Sequence, residues 1–242
     1  MSNLTKSQQQ LADLLLSTKI KAKVRRRKQN ADGSFEFYHV VRDTSPVDFS
    51  KDPGEFAFVH HEKNPTVPLS PIIINLRNLP EILVSKIASA LAEIDLKQTP
   101  DFTTGIPNAA IPFAKEFSRQ THIPYVEIFE KDDAPGHPRI LPAKNAPKGK
   151  GKTLLIVDDV ITKGASKFRA FTVAEGLGYK VLGLLVLVDR DEGGKEMIEQ
   201  AGYKFYAPIK LVELLNYYLN KGKISKSQYN KVIEYLKFSK TL

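Results

Sequence analysis

The chain contains no cysteine among its 242 residues. Neither a disulfide framework nor a thiolate metal site or nucleophile can therefore be built from it. It also lacks any apolar run as long as a membrane span requires, and its first residues, Met1 to Gln10, are polar. These absences lead us to expect no secretory signal, no transmembrane helix and a cytoplasmic location.

Acidic residues are in the minority, because 27 Asp and Glu stand against 36 Lys and Arg, for a formal net charge of +9. Such a charge favours anionic partners, and nucleotide-like metabolites, diphosphates and nucleic acid all qualify. The densest basic run extends from Lys19 to Lys28 and includes Arg25-Arg26-Arg27-Lys28. Basic clusters are more often solvated faces than nucleic-acid patches, so we expect no specific nucleic-acid binding.

Apolar periodicity separates an N-terminal appendage, residues 1–68, from a main domain, residues 69–242. Thr5 to Lys19 predicts an amphipathic helix, and a hairpin is predicted around Asn30-Ala31-Asp32-Gly33, where Asp-Gly supplies the positive φ of a tight turn. Residues 43–71 are rich in Pro, Asp and Gly, which predicts irregular structure.

From Ile72 onward, short apolar strands alternate with helical patterns. The predicted strands are 72–75, 102–106, 125–129, 154–157, 181–188 and 204–207, and the predicted helices are 80–94, 109–120, 165–175, 194–200, 210–219 and 225–238. The buried stripe of the first of these helices is predicted to consist of Ile82, Leu83, Ile87, Leu91 and Ile94. This order predicts an α/β fold with a doubly wound, mainly parallel sheet, an N-terminal helix and hairpin, and two C-terminal helices.

The segment from Leu154 to Lys167 carries the strongest functional signal. An apolar strand is expected to stop at Asp158-Asp159, which places both acids at its carboxyl end, where open α/β sheets bind ligands. The turn that follows, 162–166, can wrap N–H groups and two hydroxyls around a phosphate at a helix N-terminus. Acceptors beside a phosphate cradle fit a ribose 5-phosphate group. Paired aspartates at such a position also occur as helix N-caps or metal-binding acids.

This segment resembles the phosphoribosyl-diphosphate binding signature of type I phosphoribosyltransferases. The resemblance implies that Asp158 and Asp159 hold the ribose hydroxyls, and that the 5-phosphate is held by Thr162, Lys163, Gly164, Ala165 and Ser166. One βα unit upstream lies the loop that in this family embraces the diphosphate, and it corresponds here to Gly105, Ile106, Pro107 and Asn108. A Gly-Xaa-Pro turn before a helix is also common punctuation between elements.

Three further segments are similar to orotate phosphoribosyltransferases, particularly the domain found in bifunctional uridine-monophosphate synthases. They are Leu69 to Arg77, Gly105 to Ala114 and Val188 to Lys195. The resemblance implies that Arg190 pairs with the carboxylate of orotate, with Thr162 as the matching hydroxyl. A surface ion-pair cluster is the alternative reading of Asp-Arg-Asp-Glu. The implied reaction joins orotate to 5-phosphoribosyl 1-diphosphate (ribosyl diphosphate below), giving orotidine 5-phosphate and diphosphate. It would use Mg²⁺, held mainly indirectly by Asp158 and Asp159, in a homodimer.

The chain departs from that family in the mobile loop that covers the diphosphate. Lys131 can be matched to the Arg-Lys pair of the family, but Glu130 stands where the arginine is expected. Ala134 stands where a later lysine is expected, and the order of Gly136-His137 is reversed. Lys131 and His137 remain the loop candidates for stabilising the leaving diphosphate, and each lost cation weakens that stabilisation.

A second departure lies upstream, where the family places a lysine that reaches the base. This sequence offers Pro65 there, or Lys63 with a shift in alignment. Two other functions therefore stay open: transfer to a different base, or a non-catalytic relative that senses a ligand or binds nucleic acid.

Overall fold

The computed structural model describes residues 4–50, 54–132, 139–164 and 166–241. The chain forms two compact units, one made of Pro80–Leu211 with Thr5–Leu11, the other mainly of Ala12–Leu79 and Val212–Leu242. The second unit therefore combines early and late parts of the chain. Across the described ranges, no helix has the length and apolar character needed to cross a bilayer.

The predicted N-terminal helix and hairpin are confirmed. Helix α1 spans Lys6–Ser17, and the antiparallel strands β1 (Ile20–Gln29) and β2 (Phe35–Thr44) follow it. Gly33 in the connecting turn has φ = +84°, a conformation that glycine adopts without a Cβ clash. The Asp-Gly pair therefore sets this turn as expected.

Residues 43–71 contain more regular structure than their composition predicts. Strand β3 (Val47–Phe49) and the short helix α2 (Val59–Lys63) both lie there. Strand β4 (Ile72–Ile74) pairs antiparallel with β3 in a two-stranded sheet. The prediction that this apolar strand opens the parallel sheet is therefore wrong, because its backbone partner comes from the preceding segment.

The basic run of β1 is built into the fold. Arg25 forms an ion pair with Glu62 (3.0 Å), and Arg26 forms one with Glu55 (2.6 Å). The guanidinium of Arg27 donates to two backbone carbonyls that follow α2. These three arginines attach β1 to the segment between β3 and β4, so three of the cations in the run serve the fold.

The other unit contains the parallel sheet. Its elements are α3 (Glu81–Ala92), β5 (Phe102–Gly105), α4 (Ile111–Thr121), β6 (Phe129–Asp132), β7 (Arg139–Pro142), β8 (Thr153–Ile161), α5 (Lys167–Gly176), β9 (Lys180–Asp189), α6 (Gly194–Gln200), β10 (Lys204–Tyr206) and β11 (Ile209–Lys210). The strands are ordered β10-β9-β8-β5, all parallel, and β11 also pairs with β9. The predicted α/β class with a mainly parallel sheet is confirmed.

Buried positions agree with the apolar pattern except at two residues of the predicted helix 80–94, Ile82 and Ile94, of which Ile94 is half-buried and follows the end of α3. Leu154 to Val157 are consecutive and buried, as expected of a central parallel strand covered on both faces. Leu83 and Leu91 of α3 are also buried, whereas Ile82 is 63% exposed. Its assignment to the buried stripe is wrong, because a helix turns by about 100° per residue and Leu83 already faces the core.

Only part of the predicted strand 125–129 forms. Tyr125 makes a single parallel bridge to Thr103, and the next ladder begins at Phe129, where β6 pairs antiparallel with β7. The divergent loop of the sequence therefore starts as a hairpin. Its tip, residues 133–138, lies outside the described residues.

Two helices close the chain as predicted, α7 (Leu211–Asn220) and α8 (Lys226–Ser239). A reciprocal pair of hydrogen bonds between Ser225 and Gln228 caps the start of α8. The hydroxyl of the buried Tyr218 donates to the carbonyl of Ala12 (2.6 Å). Within their compact unit, the C-terminal helices are therefore bonded to the N-terminal part of the chain.

Candidate active site

Strand β8 carries the acidic pair past the end of its neighbour β5. The two strands pair as far as Gly105 and Val157, and β8 then continues beside β9 to Ile161. The expectation that the strand stops at Asp158-Asp159 is therefore wrong, because β9 still supplies backbone partners there. Both acids nevertheless lie beyond the carboxyl end of β5, on a part of β8 with β9 on one side.

The two carboxylates differ in exposure and in partners. Asp158 is buried, and its Oδ1 accepts the N–H of Asp159 (2.8 Å) while its Oδ2 forms an ion pair with Lys167. Asp159 is half-buried, and its Oδ1 accepts the N–H of Val160 (2.7 Å). Asp159 is thus the more accessible of the two acids.

Burial raises the pKa of Asp158, and the charge of Lys167 opposes part of that rise. Burial alone would lower the pKa of Lys167, but the charges of Asp158 and Asp159 outweigh it and leave the lysine pKa raised. Lys167 is therefore a cation at neutral pH, and its direct contact favours the carboxylate form of Asp158.

The turn after β8 leads from the acids into α5. Thr162 and Ser166 are exposed, Lys163 is half-buried, and Gly164 has φ = +80°. The side chain of Ser166 makes no capping hydrogen bond to α5, so its hydroxyl is not used to hold the helix. Ala165, the remaining residue of the predicted phosphate cradle, lies outside the described residues.

The loop after β5 lies directly beside the acids. The N–H of Ile106 donates to the carbonyl of Val157 (3.0 Å), the residue that precedes Asp158. A Cβ at Gly105 would lie 2.8 Å from the carbonyl oxygen of Ala110. Close packing against the start of α4 therefore requires this glycine, whatever ligand the loop binds. Pro107 is half-buried and Asn108 is exposed in the same loop.

The loop after β9 reaches the same edge of the sheet. The N–H of Arg190 donates to the carbonyl of Ile161, the last residue of β8 (3.1 Å). Its guanidinium Nε donates to Oε1 of Glu192 (2.7 Å), and each of these side chains is only 5% exposed. The pair is therefore buried, and the alternative interpretation of this motif, a surface ion-pair cluster, is wrong.

Gly194 joins the loop after β9 to the loop after β8. A Cβ at Gly194 would lie 2.6 Å from Cγ1 of Ile161 and closer still to the carbonyl oxygen of Thr162. The two loops thus pack backbone against backbone. The loops after β5, β8 and β9 therefore meet at one edge of the sheet, which brings together all the described residues predicted from the sugar-phosphate and Arg190 motifs.

The loop candidates are less completely placed. Lys131 lies in β6, half-buried and opposite Ile140 of β7, and β7 lies against α5. His137 lies outside the described residues. Lys63 and Pro65, considered for the upstream lysine, belong to the other compact unit.

The sequence alone assigns no role to two residues of this site, Lys167 and Glu192. Lys167 ends the recognised segment without a role, although a lysine in the first turn of a helix opposes the macrodipole and indicates an acidic partner nearby. Glu192 belongs to a quoted motif but carries no separate signal of pairing with Arg190. Both act through contacts between loops that only the fold creates.

Comparison with known proteins places the chain in a family. Residues 76–206, more than half of the chain, match the family described as phosphoribosyl transferase domain. The chain belongs to this phosphoribosyltransferase family. The orotate phosphoribosyltransferase of Sulfurisphaera tokodaii is 33% identical over 174 residues, which are 69% of this chain and 85% of that protein.

Solved phosphoribosyltransferases share the fold. The UMP synthase of Leishmania donovani superposes with a TM-score of 0.65 and 27% identity, over 79% of this chain and 39% of that one. The orotate phosphoribosyltransferase from Aeropyrum pernix gives a TM-score of 0.53 and 25% identity, over 64% of this chain and 86% of that one. This phosphoribosyltransferase therefore spans well under half of the UMP synthase, but most of the orotate phosphoribosyltransferases.

Proposed function

We propose that this protein is an orotate phosphoribosyltransferase of pyrimidine nucleotide biosynthesis. It transfers the phosphoribosyl group of 5-phosphoribosyl 1-diphosphate to orotate and releases diphosphate. The observation that carries this proposal is the meeting of three loops at one sheet edge, with Gly105 and Asp158 in two neighbouring parallel strands and Arg190 directly after the third. The match to the orotate phosphoribosyltransferase of Sulfurisphaera tokodaii covers 85% of that protein, which supports orotate as the base.

The sugar-phosphate half of the site follows from charge and exposure. Asp159 offers carboxylate oxygens to the ribose hydroxyls, while Asp158 is turned inward and supports its neighbour. The exposed hydroxyls of Thr162 and Ser166, with the N–H groups of the turn, suit the 5-phosphate at the start of α5. The loop from Gly105 to Asn108 would hold the diphosphate.

The donor set fits Mg²⁺ as a partner of the substrate. Within the part of the chain that the structure describes, no cluster of three or more His, Cys, Asp and Glu side chains could hold a metal. Mg²⁺ commonly keeps several waters and binds through one or two carboxylates together with substrate phosphates. Asp159 would serve in this way, with Asp158 indirectly behind it. The bound ion would neutralise charge on the diphosphate.

For this reaction the protein must mainly position the two substrates and stabilise the charges that develop. Breaking the bond to diphosphate leaves an oxocarbenium-like ribose, so acceptors near the sugar and cations near the leaving group lower the barrier. Lys131 and His137 are the proposed cations of the loop. Arg190 would hold the orotate carboxylate, with Thr162 on the opposite side, while Glu192 fixes its guanidinium. We also propose a homodimer.

The experiment is a direct assay with purified protein, ribosyl diphosphate, Mg²⁺ and orotate. We expect the orotate absorbance to fall, and expect no turnover with adenine in place of orotate. Asp159→Asn should weaken binding of the ribosyl diphosphate. Turnover of adenine but not of orotate would reject the choice of base, and failure to bind ribosyl diphosphate would reject the function altogether.

A further inference from the structure

Lys167, which forms a buried ion pair with Asp158, has no part in the function described so far. Lys167 is the first residue of α5, and its side chain is 13% exposed, against 4% for Asp158. A cation at that end of a helix is electrostatically unfavourable, and burying an ammonium adds a desolvation cost. The acidic partners of Lys167 must therefore offset both of these energetic costs.

We propose, on the basis of the proposed function, that Lys167 is a positioning residue that acts as a built-in counter-ion for the acidic pair. It holds the inward carboxylate of Asp158, which in turn accepts the N–H of Asp159. Through this chain of contacts Lys167 sets where the accessible carboxylate of Asp159 stands. The acid pair is thus preformed before any cation or sugar binds.

The charge balance explains why such a residue is useful. The site must offer carboxylate acceptors to ribose hydroxyls and must also admit a substrate with two phosphorylated ends. Two adjacent carboxylates alone would repel that anion, and a divalent cation would have to neutralise them first. Lys167 cancels one of the two negative charges from inside, where solvent screening is weak. The acceptors then remain, but the net repulsion is halved.

This role predicts a specific response to magnesium. Lys167→Met keeps most of the side-chain volume and removes the charge that balances one carboxylate. The binding titrations are run at alkaline pH, where Asp158 keeps its carboxylate form without the lysine. We expect the Kd for ribosyl diphosphate to rise by about 10-fold to 100-fold, the usual loss when a side chain that supports a metal ligand is removed. We also expect a higher Mg²⁺ concentration at half-maximal binding, because the external cation must now replace the internal one.

A second variant separates this role from a purely structural one. In D158N/K167M both members of the pair are neutral, so the net charge of the site returns to that of the parent protein. The Mg²⁺ concentration at half-maximal binding should therefore return to the parent value, even if affinity stays lower. Lys180→Met is the matched control, since it removes an exposed lysine at the opposite end of β9. That variant should behave as the parent does.

The experiment is calorimetric titration of each protein with ribosyl diphosphate at a series of Mg²⁺ concentrations, without orotate. A raised half-saturating Mg²⁺ concentration in K167M that reverts in D158N/K167M would support the proposal. Parent-like Mg²⁺ dependence in K167M would overturn the role of Lys167 but would leave the proposed function standing. If K167M fails to fold, an altered Mg²⁺ dependence in D158N/K167M overturns it. Absence of binding by the parent protein would instead overturn the proposed function, and this role with it.

Discussion

Gly194 offers a direct test of whether the packing of two loops sets the geometry of the phosphate turn. In Gly194→Ala, the new methyl group would lie 2.6 Å from Cγ1 and 2.8 Å from Cδ1 of Ile161, next to the carbonyl of Thr162. Carbon atoms pack best at about 3.5–4.0 Å, so the overlap is about 1 Å. The backbone of β8 and its turn must move by a similar distance to relieve it.

The expected cost has two parts. Overpacking of this kind destabilises a protein by about 1–3 kcal/mol, which denaturant unfolding measures. A displacement of about 1 Å among groups that position a substrate can reduce the rate about 100-fold. Because Thr162 is proposed to contact both the 5-phosphate and the base, we expect kcat/KM to fall by about this factor for ribosyl diphosphate and for orotate.

Gly176→Ala is the matched control for this prediction. Gly176 ends α5, and a Cβ there would meet nothing within 4 Å. Alanine in that helix should stabilise the protein by about 0.5–1 kcal/mol and leave the kinetics unchanged. If Gly194→Ala kept the kcat/KM of the parent protein while both variants folded, the packing of the two loops would not control the site.

Two further predictions concern the base site and the opposite end of the sheet. R190Q/E192Q replaces the internal ion pair by amides, so the KM for orotate should rise by about 10-fold to 100-fold, while calorimetry should find parent-like affinity for ribosyl diphosphate. An unchanged KM would contradict the role of Arg190. The Asp101 carboxylate accepts hydrogen bonds from the N–H and hydroxyl of Thr153 and from Lys152, which lowers its pKa to about 2. Its contribution to stability is therefore present above the unfolded pKa and is lost as pH falls towards 2. A carbon-13 NMR titration of Asp101 near 3.8 would contradict this, and Thr153→Val should raise the value.

The sequence predicts the parallel sheet because its strands are short, continuous apolar runs separated by helical patterns. Leu154 to Val157 illustrate this, since burial on both faces leaves no polar alternation. The end of β8 could not be predicted in the same way. Whether a strand continues through Asp158 and Asp159 depends on whether β9 offers backbone partners there, which is a tertiary property.

Contacts between residues that the fold brings together also explain which residues of the site could not be predicted from the sequence. The motifs identify Asp159, Thr162 and Arg190 because these residue types suit the ligand. Lys167 and Glu192 suit other side chains of the protein, and such pairs carry no residue pattern of their own. Likewise β4 has the composition of a sheet strand, but its neighbour in space is β3 and not β5.

The network around the basic strand β1 limits how the chain can be shortened. A fragment that began at residue 69 would retain β4 but lose its pairing partner β3, and would lose the carbonyl of Ala12 that the buried Tyr218 bonds. The arginines of β1 and their acidic partners would be removed together, but Lys223 would lose its ion pair with Asp13, and apolar surface would be exposed. Such a fragment would be prone to aggregate, and the N-terminal segment is therefore an integral support of the C-terminal helices.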